Sequence, residues 1–148
     1  MKRFFDSSVL VSAFYKFDAR HVSSANALRS ASRADSFCAL RTLGEVYAVL
    51  TGLPVRPRFT GADGIAVIEQ IRTKLTVVSL TEDEYVAAIR SVSGTVVGGA
   101  AYDALIARCA IKANADVLLT WNARDFTRFG PDIARIVQTP LQLLPQRS

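Results

Sequence analysis

The chain has 148 residues, half of them hydrophobic and 21% of them charged, which excludes a disordered chain and predicts one globular domain over residues 1–148. The formal net charge is +5, from 18 Lys and Arg against 13 Asp and Glu, so nucleic acid is the expected charged partner. No apolar stretch is long enough to span a membrane, and Arg3 and Asp6 interrupt any signal-peptide core. Cys38 and Cys109 lie in apolar runs, and we expect reduced core thiols in a cytoplasmic protein.

The first half of the chain predicts short strands separated by amphipathic helices. In chain order, the pattern gives a strand over 2–5, a helix from Ser7 or Ser8 through Phe17, a helix over 21–34, a strand over 36–39, a helix over 41–51 and a helix over 61–74. Between the last two helices, residues 55–61 read as a basic loop.

The second half continues the alternation. It predicts a strand over 75–78, a helix over 81–92 opened by a capping sequence, a glycine-rich loop over 94–99, a helix over 100–113, a strand over 116–120, a polar segment over 121–129 and a strand over 134–138. Strands of four or five residues alternating with longer helices indicate an α/β fold with a mainly parallel sheet of four to five strands.

Four acids lie where such a fold places its functional groups. Asp6 follows the first strand, and Asp125 lies in the turn after the strand that contains residues 117–119. Ligand sites in open parallel sheets lie beyond the carboxyl ends of the strands. Glu45 and Asp103 border the apolar stripes of their helices, so we expect both to be half buried and to need a cation or a proton. Asp116 opens its strand at the opposite edge and is not a candidate.

Each acid also has a structural interpretation. Asp6 would cap the first helix, Glu45 would pair with Arg41 one turn earlier, Asp103 would interact with a helix dipole, and Asp125 would accept a loop amide. Four acids that converge on one edge of a basic protein repel one another, however, and such clusters are typical of a divalent metal site.

Four segments carry a resemblance to a known family, in the family's order. They are Phe4-Phe5-Asp6-Ser7-Ser8-Val9-Leu10, Leu43-Gly44-Glu45-Val46, Tyr102-Asp103-Ala104-Leu105-Ile106-Ala107 and Leu118-Leu119-Thr120-Trp121-Asn122-Ala123-Arg124-Asp125-Phe126. Together they resemble the PIN-domain nucleases, and most closely the VapC-type toxins of toxin–antitoxin pairs.

The resemblance implies a three-layer α/β/α sandwich around the sheet and a metal-dependent endoribonuclease that uses Mg²⁺ or Mn²⁺. It carries the catalytic acids onto Asp6, Glu45, Asp103 and Asp125. Asp6 and Asp103 are then the direct metal ligands, while Glu45 and Asp125 act through water or a second metal position. Ser7, Thr120 and Asn122 match supporting positions of the family. Many relatives have an acid where this chain has Asn122, which leaves Asp125 as the one carboxylate of that segment.

The same resemblance implies three partners: an RNA substrate, a cognate antitoxin that covers the site, and a second copy of the chain in a homodimer. The apolar stripes of the helices over 21–34 and 61–74 also favour a dimer, because one short sheet does not fully cover them. The basic side chains expected to bind RNA are Arg56, Arg58, Arg108, Lys112, Arg124 and Arg128. Trp121 would either stack a base or pack on the domain, and His21, the only histidine, suits neither a zinc site nor a serine triad.

Two other functions remain open from the sequence. A phosphohydrolase or receiver-like domain would use Asp6 as a nucleophile, although the second acid that favours this chemistry is replaced by Ser8. A catalytically silent RNA- or protein-binding domain would lack one or more of the acids, and none is missing here.

Overall fold

The structure is a computed structural model and describes residues 1–142. Residues 143–148, the end of the predicted domain, lie outside the described residues. The strands are β1 (Arg3–Phe5), β2 (Ser36–Ala39), β3 (Thr76–Val78), β4 (Val117–Leu119) and β5 (Val137–Gln138). The helices are α1 (Ser7–Phe14), α2 (His21–Arg29), α3 (Leu40–Gly52), α4 (Gly61–Lys74), α5 (Glu82–Val92), α6 (Ala100–Lys112), α7 (Ala123–Thr127) and α8 (Pro131–Ala134), followed by a 3₁₀ turn (Pro140–Gln142).

The five strands form one parallel sheet in the order β3-β2-β1-β4-β5. In the register between β1 and β4, Arg3 lies opposite Val117 and Phe5 opposite Leu119. The three residues of β4 are buried, as expected of a parallel strand that has helices on both faces of its sheet. The predicted mainly parallel sheet of four to five strands is confirmed.

Two hydrophobic clusters lie on opposite faces of the sheet. Phe5 packs with residues of α1, α2, α3 and α4, among them Leu10, Leu28, Leu50 and Ile71. Phe4, whose side chain alternates to the other face, packs with residues of α6, α7 and α8, among them Ile106, Phe126 and Ile133. The chain therefore forms the three-layer α/β/α sandwich that the resemblance implies.

Several predicted boundaries are wrong. The first helix ends at Phe14, because Tyr15 adopts an extended conformation, and Phe17 is 74% exposed. The second ends at Arg29 instead of continuing to residue 34. The polar segment after β4 contains a helix, α7, which is held to the sheet by the fully buried Phe126. Residues Pro131–Ala134 are also helical, which shortens the last strand to Val137–Gln138.

The chain leaves the neighbouring strands β1 and β4 toward opposite faces of the sheet. α1 follows β1 and buries Leu10 in the first cluster, whereas α7 follows β4 and buries Phe126 in the second. This divergence opens a crevice at the edge formed by the carboxyl ends of the strands, here called the carboxyl edge, and ligands of open α/β sheets bind at such crevices.

Other expectations concern the surface and the thiols. Thr81 and Glu84 form a reciprocal capping box at the start of α5, as their spacing predicts. Cys38 and Cys109 are free and buried. Among residues 1–142, no helix is long and apolar enough to cross a membrane.

Candidate functional site

The carboxylate of Asp6 is the most buried of the four candidate acids. Asp6 directly follows β1, is 3% exposed and occupies the N-cap position of α1 without making a side-chain capping hydrogen bond. Its Oδ2 instead accepts hydrogen bonds from the Thr120 hydroxyl at 2.7 Å and from the Ser8 hydroxyl at 2.8 Å. The capping interpretation therefore does not account for this side chain.

Backbone amides of the turn after β4 orient both hydroxyls. The Trp121 N–H donates to Ser8 Oγ at 3.0 Å, and the Asn122 N–H donates to Thr120 Oγ1 at 2.9 Å. Each hydroxyl accepts a hydrogen bond from the backbone and donates one to Asp6 Oδ2. The turn after β4 thereby fixes the carboxylate that follows β1.

Ser7 matches the supporting position of the family, but the hydroxyl next to it in the chain, that of Ser8, donates to Asp6. Ser7 contributes a backbone hydrogen bond that lowers the pKa of Asp6, whereas the side-chain bond comes from Ser8. The signal was available in the spacing, because a Ser two residues after an Asp at a helix start can turn its hydroxyl back to that carboxylate.

Burial dominates the electrostatics of Asp6. Loss of solvation raises the pKa of the carboxyl, the hydrogen bonds from Thr120, Ser8 and the Ser7 backbone lower it, and the negative charge of Glu45 raises it further. The net effect is a raised pKa. At neutral pH the ionised group therefore gains from any cation that reaches it.

Asp103 lies in the first turn of α6 and is half buried. Burial and then the charges of three other acids raise its pKa to about 6, while the nearby guanidinium of Arg128 lowers it; the three acids are Asp6, Asp125 and Glu45. The three other predicted acids therefore lie within electrostatic range of Asp103. They come from different elements: Asp6 follows β1, Glu45 lies on α3 and Asp125 lies on α7.

Glu45 makes the ion pair that its spacing from Arg41 predicts. Arg41 Nε lies 2.8 Å from Glu45 Oε1, and the guanidinium carbon of Arg41 lies 3.5 Å from the centre of the Tyr102 ring. Tyr102 lies in the first turn of α6 and is 43% exposed. Glu45 is half buried, as predicted from its position at the border of the α3 stripe.

The donor set of the four acids suits a hard cation with an incomplete protein shell. Within residues 1–142, no three His, Cys, Asp or Glu side chains lie close enough together to hold one metal ion. Mg²⁺ needs fewer, because it usually keeps several waters and binds through one or two carboxylates plus a substrate phosphate. The buried Asp6 and the half-buried Asp103, whose charge interaction raises the pKa of Asp103, would supply that number of carboxylates.

The hydroxyl of Thr42, at the same edge of the sheet, is buried without a hydrogen-bond partner among residues 1–142. Thr42 lies in the first turn of α3, one turn before Glu45. Buried hydroxyls are normally hydrogen-bonded. A hydrated ion or an ordered water near α3 would supply such a partner.

The remaining members of the predicted site lie on the turn and helix after β4. Asn122 is exposed and contributes its backbone N–H to Thr120. Asp125 is exposed on α7, where its backbone N–H donates to the Asn122 carbonyl at 2.9 Å. Asp116 is not one of the candidate acids. Its carboxylate accepts a hydrogen bond from the backbone N–H of Lys2, where β1 and β4 begin.

The predicted RNA-binding residues fall into two groups. Arg56, Arg58, Arg108, Arg124 and Arg128 are exposed, and Arg128 is the one among them whose charge lowers the pKa of Asp103. Lys112 is instead a structural residue: its ammonium lies 2.6 Å from Glu84 Oε1 and 2.9 Å from the Ser79 carbonyl, which ties α6 to the start of α5.

Trp121 packs on the domain. Its indole N–H donates to Ser24 Oγ at 2.8 Å, and its ring contacts the first hydrophobic cluster. Of the two interpretations, base stacking and packing, the contacts favour packing. His21 lies at the start of α2, where Nδ1 is 2.9 Å from the Ser12 carbonyl, and takes no part in the site.

Two cavities flank α6. One of about 330 Å³ lies between the end of α5, α6 and the segment around Gly130, and both Arg108 and Arg128 line it. The other, of about 440 Å³, lies between the starts of α3 and α5 and is lined by Arg41, Tyr85, Leu105 and other apolar side chains. Each cavity is lined by an arginine that interacts with one of the acids: Arg128 lowers the pKa of Asp103, and Arg41 pairs with Glu45.

A parallel sheet between two helical layers, with a buried carboxylate at the carboxyl end of its central strand, is typical of α/β domains that bind charged ligands at that edge. The PIN domain model matches residues 3–130. The chain therefore belongs to the PIN domain family, a family of nucleases.

Solved toxin and toxin–antitoxin structures share this fold. The chain is similar to VapC20 of Mycobacterium tuberculosis, a sarcin–ricin loop cleaving toxin, with a TM-score of 0.63 and 20% identity over 79% of this chain and 87% of that one. It is also similar to VapBC2 of Rickettsia felis, bound to a DNA fragment from its promoter (TM-score 0.64, 18% identity, 94% and 98% covered). A third is VapBC-1 of nontypeable Haemophilus influenzae (TM-score 0.64, 19% identity, 96% and 100% covered). No curated protein matches the sequence significantly.

Proposed function

We propose that this PIN domain is a metal-dependent endoribonuclease that acts as the toxin of a toxin–antitoxin pair. The observation that carries the proposal is the buried carboxylate of Asp6 at the carboxyl end of β1, which the hydroxyls of Ser8 and Thr120 hold in place. The charges of Asp6, Asp125 and Glu45 also act on Asp103 and, after burial, raise its pKa. Acids that lie close together repel one another, and a divalent cation bound among them would relieve this repulsion.

Each acid then has a role in the reaction. Asp6 and Asp103 would hold Mg²⁺ or Mn²⁺ directly, and Glu45 and Asp125 would act through water or at a second position. When bound, the ion supplies an activated water and neutralises charge on the attacked phosphate. Ser8 and Thr120 keep Asp6 in one orientation, so that its carboxylate does not reorganise during the reaction.

The basic side chains would hold the RNA strand. The charge of Arg128 lowers the pKa of Asp103, and its Nε donates to the Asp125 carbonyl at 3.1 Å. Arg108 shares a cavity wall with it. Contacts of this kind bind the phosphate backbone without reading sequence.

A phosphohydrolase that uses Asp6 as its nucleophile fits the geometry less well. The carboxylate is almost fully buried, and Oδ2 already accepts two hydroxyl hydrogen bonds. Burial limits the access of an incoming phosphate, and the two hydrogen bonds lower the nucleophilicity of Oδ2. Both features suit a group held in place as a metal ligand.

The decisive experiment replaces Asp6 with Asn, which removes the charge at nearly constant shape. We expect cleavage of RNA in Mg²⁺ or Mn²⁺ to fall by at least about 100-fold, the loss typical of a directly participating group. The matched control is Asp116→Asn, at the amino end of β4, which should cleave normally. Undiminished cleavage by Asp6→Asn, or equal cleavage in EDTA and Mg²⁺, would exclude the proposal.

The antitoxin proposal predicts competition with metal. An Arg of the partner can pair bidentately with Asp6, Asp103 or Asp125 and neutralise the charge that the metal neutralises. We expect the partner's affinity to fall when Mg²⁺ is added at matched ionic strength, since screening is then constant. Equal affinities would show that the partner binds away from the acids, for example on the RNA path.

A further inference from the structure

The side chain of Arg41 is held at two points above the carboxyl edge. Its Nε lies 2.8 Å from Glu45 Oε1 on the same helix, and its guanidinium carbon lies 3.5 Å from the ring centre of Tyr102 on α6. α3 packs on one face of the sheet and α6 on the other. Arg41 therefore bridges the two helical layers at the edge where the four acids lie.

The terminal nitrogens of this guanidinium are left for another ligand. Arginine has five N–H donors, and the contact to Glu45 uses Nε. Among residues 1–142, neither Nη group has a hydrogen-bond partner, and the side chain is 43% exposed. The free end of the fork suits a bidentate contact with a phosphate or a carboxylate.

Fixing the side chain on an aromatic ring prepares it for such a contact. A long, exposed side chain loses rotamer entropy when it binds, and Arg41 has already lost much of it through Tyr102 and Glu45. The aromatic face of Tyr102 attracts the guanidinium but does not neutralise it, so its positive charge stays available to a ligand. Pre-organised groups of this kind bind with a smaller entropic penalty.

The position relative to the acids identifies which phosphate is in reach. Arg41 contacts Glu45, one of the four acids, and the ring of Tyr102, which directly precedes the predicted metal ligand Asp103 on α6. The guanidinium therefore lies beside the group of acids. A strand with its reacting phosphate at Asp6 and Asp103 would bring a neighbouring phosphate toward Arg41, where four acids would otherwise repel it.

We propose that Arg41 binds an RNA phosphate adjacent to the one at the four acids, and that Tyr102 and Glu45 are positioning residues that hold its guanidinium there. The inference rests on the proposed function for the choice of RNA as ligand. Glu45 then has this positioning role in addition to its place among the four acids.

The test measures binding of a fluorescent single-stranded RNA oligonucleotide by anisotropy, with the full chain carrying Asp6→Asn so that the RNA stays intact in Mg²⁺. We expect Arg41→Gln to weaken binding about tenfold at low salt and to reduce the slope of log K against log[salt] by about 0.7, the value for one phosphate of a single strand. Arg41→Ala, checked for an unchanged melting temperature, should match it.

The matched control is Arg72→Gln. Arg72 is also an exposed arginine that pairs with a glutamate of its own helix, Glu69, at 3.1 Å. It lies in the last turn of α4, just before β3. It should leave both affinity and slope unchanged. In the active background, Arg41→Gln should raise KM and leave kcat and the Mg²⁺ requirement within about twofold, because binding is lost and chemistry is not.

The role of Tyr102 gives a second readout. Tyr102→Phe keeps the ring and should bind RNA as the parent does, whereas Tyr102→Leu should lose part of the affinity because Arg41 is no longer fixed. Arg41→Lys should recover part of the affinity through charge alone, since lysine lacks the planar fork.

Equal losses in Arg41→Gln and Arg72→Gln would overturn the inference, because they would reflect net charge alone. Loss of metal activation with unchanged RNA affinity would also overturn it, by showing that Arg41 acts on Glu45. RNA bound through Arg41 but not cleaved in any divalent ion would support the inference and overturn the proposed function. A chain that does not bind RNA would overturn both.

Discussion

Two individual side chains, those of Asp6 and Asp103, have carboxyl groups whose pKa values are raised by burial and by neighbouring acids. A stable fold alone does not need this arrangement, because isolated buried charges are costly. The hydrogen bonds from Thr120 and Ser8 reduce the cost at Asp6 without removing it. Such local destabilisation is typical of sites that bind a charged ligand.

The raised pKa of Asp103 predicts a pH-dependent stability. Between the ordinary value of 3.8 and the folded value of about 6, the folded state binds more protons than the unfolded state. The free energy of unfolding contributed by this group is therefore present below about pH 3.8 and is lost as the pH rises through about 6.

We expect Asp103→Asn in EDTA to match the wild type near pH 4 and to be more stable by about 1 kcal/mol at pH 7, a figure reduced for the partial exposure of the side chain. Urea denaturation followed by circular dichroism measures the difference. The control is Asp132→Asn, on the exposed surface of α8. A difference for Asp103→Asn that does not grow with pH would contradict the assignment.

At the scale of elements, a chain of polar contacts joins α1, α2 and the turn after β4. Ser12 Oγ and Ser24 Oγ lie 2.6 Å apart, and the Trp121 indole donates to Ser24 Oγ at 2.8 Å. The adjacent Trp121 N–H orients the Ser8 hydroxyl that reaches Asp6. The packing of Trp121 therefore contributes to the geometry of the candidate site.

Replacing Trp121 with Phe should lower the free energy of unfolding by about 1–2 kcal/mol, because the Ser24 hydroxyl loses a donor in a part-buried position. RNA affinity should stay within about twofold of the wild type. Chemical denaturation and anisotropy measure the two quantities. Combining the change with Ser24→Ala should recover part of the loss, and an affinity that falls while stability does not would restore the base-stacking interpretation.

The whole molecule leaves one helix largely unpacked on its apolar side. In α5 the buried residue is Ala88, while Tyr85, Val86 and Ile89 are exposed. Val22 on α2 and Ile65 on α4 are exposed as well, whereas Leu28 and Ile71 on the same helices are buried. Apolar surface of this extent is typical of an interface.

We therefore expect a homodimer in which α5 contributes to the contact. Sedimentation at micromolar concentration should give the mass of two chains, and Ile89→Asp should shift it toward one chain by placing a charge in the interface. Ile65→Asp serves as the comparison on α4. A monomeric wild type would contradict the dimer, and dissociation by Ile65→Asp alone would move the interface to α4.

The amino-acid sequence determined the alternation of strands and helices, the parallel sheet and the four acids, because hydrophobic periodicity and placement after strands are local signals. The order of the strands and the assignment of Ser8, Arg41, Lys112 and Tyr102 depended on tertiary structure. Ser8 and Thr120, which are 112 residues apart in the chain, both donate to Asp6. Arg41 contacts the ring of Tyr102, which belongs to the opposite helical layer. Contacts between segments so far apart are set by how the layers pack, and no local pattern encodes them.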